Sequence, residues 1–252
     1  MIQLLWELLW PAALYELLTE CFRMILPGWE GLAVQTVSAF TVSVILTVLY
    51  RRSAFSPKKN TEEKSVKTLS TGIVSAGVLL AAAGVSSSLF FNNLITLSGI
   101  KNVFTGYRQT AQELYSLPLG FQLIATGVVI SGAEELIFRG FIYGSLRKRY
   151  SFRTAAVIAS VLFGWYHGNL VQGLYACGFS MVLVYSYEKY GSILAPWIIH
   201  GTGNLTSILA GKWVKFEEKG TGISFLFITV FSGLCLLFAV KKMKAACDNF
   251  KN

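Results

Sequence analysis

Only two histidines occur in the chain, His167 and His200, and each interrupts a long apolar run. A third apolar run carries Glu134, Glu135 and Arg139. A charge at the centre of a membrane-crossing helix costs about 2.5–3.5 kcal/mol on insertion scales, so such groups are a functional-site hypothesis by default. Glu135 and Arg139 are four apart, share a helix face and can neutralise one another. Glu134 is turned about 100° from Glu135 and has no partner within its own helix. His200 is followed by Asn204 one turn on, along the same face. Each feature has a bland reading: a structural ion pair with a spare carboxylate, a packed histidine, a His–Asn pair gluing two helices together. Their occurrence on three separate runs is harder to assign to packing.

Depth joins them. Counted at ~1.5 Å per residue from the nearest basic loop, Glu134, His167 and Asn204 fall at about 20 Å and His200 at about 15 Å. Small residues flank them (Ser131, Gly132, Ala133; Gly164, Gly168; Gly201, Gly203) and allow helices to approach closely. A carboxylate, two imidazoles and a carboxamide, with no Ser or Cys at matching depth, suggest hydrolysis by an activated water. Glu134 is then the general base. His167 shares the water's proton and can pass it to the leaving amine. His200 and Asn204 donate hydrogen bonds to the developing oxyanion, worth a few kcal/mol per donor. Glu135 and Arg139 support the site from behind and are expected to orient Glu134.

The composition says what surrounds such a site. Of 252 residues, 54% are hydrophobic and 14% charged, with a mean hydropathy of +0.55. A soluble domain is nearer a quarter charged, so lipid is the expected solvent. The net charge of +9 does not indicate nucleic acid, because the basic residues sit in short loops between apolar runs. Cys21, Cys177, Cys235 and Cys247 are scattered, with no C-x-x-C pair, so neither a disulfide framework nor a metal cluster is expected. The first residues lack a basic n-region and a cleavage pattern, and do not read as a signal peptide.

The expected fold class is all-α: a polytopic membrane bundle of seven to eight transmembrane helices. Apolar runs near 31–50, 70–92, 118–146, 154–169, 170–187, 192–210 and 222–240 have the length for spans. The stretch 3–26 carries Glu7, Glu16, Glu20 and Arg23, and is either a span or an amphipathic interfacial helix. Alternate loops hold fifteen Lys and Arg (six in 51–67, four in 147–153, Lys189, four from Lys241), against five in the intervening ones. By the positive-inside rule the basic loops and the C-terminus face the cytoplasm. The chain divides into N-terminal helices over 1–117, a catalytic core over 118–210, and a last span with a basic tail over 211–252. Trp6, Trp10, Trp29, Tyr185 and Tyr187 are read as an interfacial belt. Segment 93–117, with Tyr107, Arg108 and Glu113, is read as a surface loop in preference to an amphipathic helix over the site.

Three motifs stand in order: Glu134-Glu135-x-x-Phe138-Arg139-Gly140, Phe163-Gly164-x-x-His167, and His200-x-x-x-Asn204. Together they resemble the CAAX prenyl protease and bacteriocin-processing (CPBP) family over about residues 118–210. The resemblance implies an eight-helix fold and a glutamic protease that uses no metal and no cofactor. It assigns Glu134 and His167 to water activation, and His200 and Asn204 to the oxyanion hole. It also implies the lipid bilayer and a peptide or membrane-protein substrate as partners, with residues 1–117 a possible substrate-selection region. The short chain and its basic loops suit a bacterial plasma membrane, where a leader, signal or bacteriocin-type peptide is a better expected substrate than a prenylated one. Some members of the family act as scaffolds or regulators, so a non-catalytic scaffold is the first rival reading. A zinc site on Glu134, His167 and His200 is the second, although the H-E-x-x-H signature is absent. A proton-relaying transporter ranks last, because neither inverted repeats nor paired broken helices are visible.

Overall fold

The computed structural model describes residues 2–52, 59–100, 117–213 and 222–248, with side chains of 59–74 and 246–248 left aside. The described chain is a bundle of eight helices without strands: α1 (Ile2–Ile25), α2 (Gly31–Arg52), α3 (Lys59–Leu97), α4 (Leu119–Arg147), α5 (Phe152–Tyr166), α6 (Leu170–Tyr190), α7 (Leu194–Trp213) and α8 (Ile223–Asp248). Five have the length and apolar composition to cross a bilayer by themselves: α2, the Ser75–Leu97 part of α3, α4, α6, and the Ile223–Ala245 part of α8. α5 is equally apolar but only 15 residues long. α1 carries four charges, and α7 is interrupted by His200, Thr202, Asn204, Thr206 and Ser207. These two join the bundle by packing against neighbours. The protein is a multi-pass membrane protein.

The ambiguous first stretch is a bundle helix. α1 packs on α2 and α4. It also runs beside α5: Glu7 meets Arg149 ahead of the start of α5 (2.8 Å), and Glu16 meets Tyr166 at its end (2.5 Å). α4 is the central strut, touching α1, α2, α5, α6 and α7. One hydrophobic cluster gathers α1, α2, α4, α5 and α6; a second gathers α3, α6, α7 and α8. Without a hydrophobic drive between helices in lipid, close approach does the joining. A Cβ on Gly201 would collide with the backbone oxygen of Gly127, and one on Gly164 would lie 2.6 Å from that of Gly173. These two crossings bind α7 to α4 and α5 to α6.

Gly168, expected as another contact glycine, is instead a turn residue: φ is +71° and nothing lies near it. It reverses the chain between α5 and α6, and Asn169 then caps α6 by accepting from the Gln172 amide. The aromatic belt is also smaller than expected. Trp6 and Trp29 are exposed, but Trp10 packs edge-on against Phe141, and Tyr187 is buried with its hydroxyl 2.8 Å from that of Tyr50. Tyr107, Arg108 and Glu113 lie outside the described residues.

Candidate active site

The winding of α4 changes around its carboxylates. Ala125–Ile130 and Leu136–Tyr143 are π-helical and enclose a single α-helical stretch, Ser131–Glu135. π-Wound segments are rare and frequently mark functional sites. Side chains take up three carbonyls along the first of them. Asn204 Nδ2 donates to Thr126 O (3.0 Å), Trp197 Nε1 to Val128 O (2.9 Å), and Ser131 Oγ to Gly127 O (2.9 Å). Two of those donors come from α7, so the unusual winding is fastened to the helix that carries His200. Gly132 leaves room for this: a Cβ there would stand 3.0 Å from the Trp197 ring.

The adjacent carboxylates face different surroundings. Glu135 is 0% exposed and accepts from Arg139 Nη1 at 3.0 Å, while Arg139 Nη2 donates to Ser180 Oγ on α6 at 2.9 Å. Glu134 is 13% exposed, with Oε2 3.5 Å from His200 Nε2. His200 Nδ1 stands 2.6 Å from Glu135 Oε1. Glu135 and Arg139 thus support His200, where the sequence suggested that they would orient Glu134. The reason is rotational: one residue along the helix, Glu135 is turned toward α7, and the buried carboxylate finds the imidazole there.

These contacts fix which ring nitrogens can work. A carboxylate paired with arginine accepts only, so His200 Nδ1 carries a proton and Nε2 is the atom that faces Glu134. His167 Nδ1 lies 2.8 Å from the backbone oxygen of Phe163, which also accepts only, so its Nε2 is free as well. Phe163 ties the pieces together, edge-on to His167 (4.8 Å) and to His200 (5.8 Å), with the Arg139 guanidinium 4.5 Å over its face. Helices α4 and α7 bring Glu134 and His200 into contact, and Phe163 of α5 links His200 to His167; Asn204 lies one turn beyond His200 and holds the Thr126 carbonyl of α4. Glu134, His167 and Asn204 keep some exposure, whereas Glu135 and Arg139 are sealed. Ser180, Trp197 and the π winding were not foreseen. A serine in an apolar helix is too common to single out, and winding leaves no residue pattern.

Residues 116–206 match the model of the family described as type II CAAX prenyl endopeptidase, Rce1-like. The chain is 30% identical over 93 residues to the UPF0177 protein YxdF of Lactococcus lactis subsp. lactis (strain IL1403), which is 36% of this chain and 51% of that protein. It is 26% identical over 167 residues to a Bacillus subtilis (strain 168) protein named "Putative membrane peptidase YdiL", covering 66% of each. The chain thus spans about half the length of the first relative and just under two thirds of the second. No solved structure matches. The matched stretch, residues 116–206, contains Glu134, Glu135, Arg139, His167, His200 and Asn204, so the similarity to the Rce1-like CAAX prenyl endopeptidase family falls on the residues of the candidate site.

Proposed function

We propose that the protein is an intramembrane glutamic peptidase that cleaves a peptide bond with water activated by Glu134. One observation carries the reading: the partly exposed Glu134 carboxylate meets His200 Nε2 across two helices, while His200 Nδ1 is held by the sealed Glu135–Arg139 pair. In this reading Glu134 is the carboxylate that accepts a proton, and His200 donates through Nε2.

Glu134 takes a proton from water, and the hydroxide attacks the carbonyl carbon of the scissile bond. Negative charge moves to the carbonyl oxygen, where His200 Nε2–H and the second N–H of Asn204 receive it. The first Asn204 N–H is committed to Thr126 O, which holds the carboxamide in place. His167 Nε2 orients the water, and the proton passes through Glu134 and His167 to the leaving nitrogen as the C–N bond breaks. The substrate class is a leader, signal or bacteriocin-type peptide, or a membrane protein. The basic loops and the C-terminus lie on the cytoplasmic side of a bacterial plasma membrane.

The test is cleavage of a mixed peptide library in detergent, followed by mass spectrometry, with and without a strong chelator. New termini produced by the wild type, absent with Glu134→Gln and indifferent to chelator, are the expected result. Loss of cleavage on chelation would move the assignment to a metal. Cleavage by neither protein would favour the scaffold.

A further inference from the structure

α1 brings three glutamates into the bundle, and their surroundings differ. Glu7 is held by Arg149 at 2.8 Å, and Glu20 by Arg23 at 2.7 Å. Glu16 accepts only a phenol, the Tyr166 hydroxyl, at 2.5 Å. Among the described residues it has no cation, and it is exposed. A carboxylate in the middle of a long apolar helix is costly unless a positive charge meets it.

Its position is next to the site. Tyr166, which holds it, immediately precedes His167, their rings 6.3 Å apart. The preceding α1 residue, Tyr15, packs into the cluster that includes Ala133 of α4. An exposed carboxylate lacking a cation among the described residues is therefore held by the residue next to His167.

We propose that Glu16 is a cation subsite beside the candidate active site, recognising a lysine or arginine side chain of the bound peptide. The proposal deepens the peptidase reading by naming a substrate feature, and its binding test stands apart from turnover. Two variants separate it from a purely structural tie between α1 and α5. Glu16→Gln removes the charge but keeps an oxygen to accept from Tyr166. Tyr166→Phe removes the tie but keeps the charge.

The probes are dye-labelled apolar peptides that differ only in one lysine stepped along the chain, each with a glutamine counterpart. Their affinities are measured by fluorescence anisotropy on the detergent-solubilised full chain carrying Glu134→Gln, so nothing is cleaved during the titration. A lysine at one register should bind roughly fivefold tighter than its glutamine counterpart, less so as salt is raised. Adding Glu16→Gln should abolish that difference, and adding Tyr166→Phe should preserve it. Equal affinities at every register, including no binding of either peptide, overturn the proposal, as does a lysine preference that survives Glu16→Gln. A wild type that binds with this preference but cleaves none of the peptides would count against the peptidase reading and leave the cation subsite standing.

Discussion

Glu134 and Glu135 are neighbours in sequence, and their surroundings give them different work. Glu135 has no exposure and is tied to both Arg139 and His200. Glu134 keeps 13% of its side chain accessible and faces the free nitrogen of His200. Removing one partner of a sealed ion pair strands the other, which costs about 3–5 kcal/mol. Arg139→Leu is therefore expected to lower the thermal midpoint in detergent sharply, with or without substrate; an unchanged midpoint would mean that the pair does not hold the bundle together. Asn204→Ala should leave the bundle folded and lower kcat about 10²- to 10³-fold with little change in KM, measured by initial rates on a cleaved peptide. The sequence disclosed these residues because charges and imidazoles are conspicuous in apolar runs. It did not disclose that Glu135 serves His200, since a one-residue rotation decides that and depends on how α7 crosses α4.

At the scale of elements, the site depends on how closely α4 and α7 cross. Gly201 lies against the Gly127 backbone, and the first π-wound stretch of α4 hands its carbonyls to Asn204 and Trp197. A side chain at Gly201 must push the two backbones apart. Gly201→Val should destabilise the bundle by about 1–3 kcal/mol or more, and should cost activity even in molecules that remain folded, because it separates Glu134 from His200. Thermal unfolding and cleavage rate measured on the same preparation check this. The residue spacing foretold the helices and, with them, the small residues at their crossings. It placed Gly168 among those contacts because periodicity cannot distinguish a glycine used for approach from one used for a left-handed turn. Likewise, 154–169 and 170–187 read as two adjoining runs; the reversal at 167–169 sits where His167 closes α5.

For the whole molecule, composition alone indicated a membrane bundle, and the eight described helices agree with it. Hydropathy did not settle α1, whose charges hide a helix that belongs to the bundle. Those charges are met by Arg149, Tyr166 and Arg23, partners that only the tertiary fold and one local pair supply. The proposed sidedness rests on the loops, with fifteen basic residues on alternate connections against five on the others. A reporter fused after Asn252 that is active only in the cytoplasm should be active, and single cysteines placed in 147–151 should resist a membrane-impermeant thiol reagent added to intact cells. Labelling of those cysteines would invert the topology. The candidate site residues all lie within 118–210, and α1 packs on the same α4, so a fragment beginning at 118 should lose stability.

The most direct measurement compares the two adjacent carboxylates on one cleaved peptide, by initial rate and thermal midpoint. Glu134→Gln should retain the wild-type midpoint and lose about 10²- to 10⁴-fold in rate, because only the base is removed. Glu135→Gln should lose stability first, because it unseats Arg139 and His200. Wild-type cleavage by a well-folded Glu134→Gln would contradict the account at its centre.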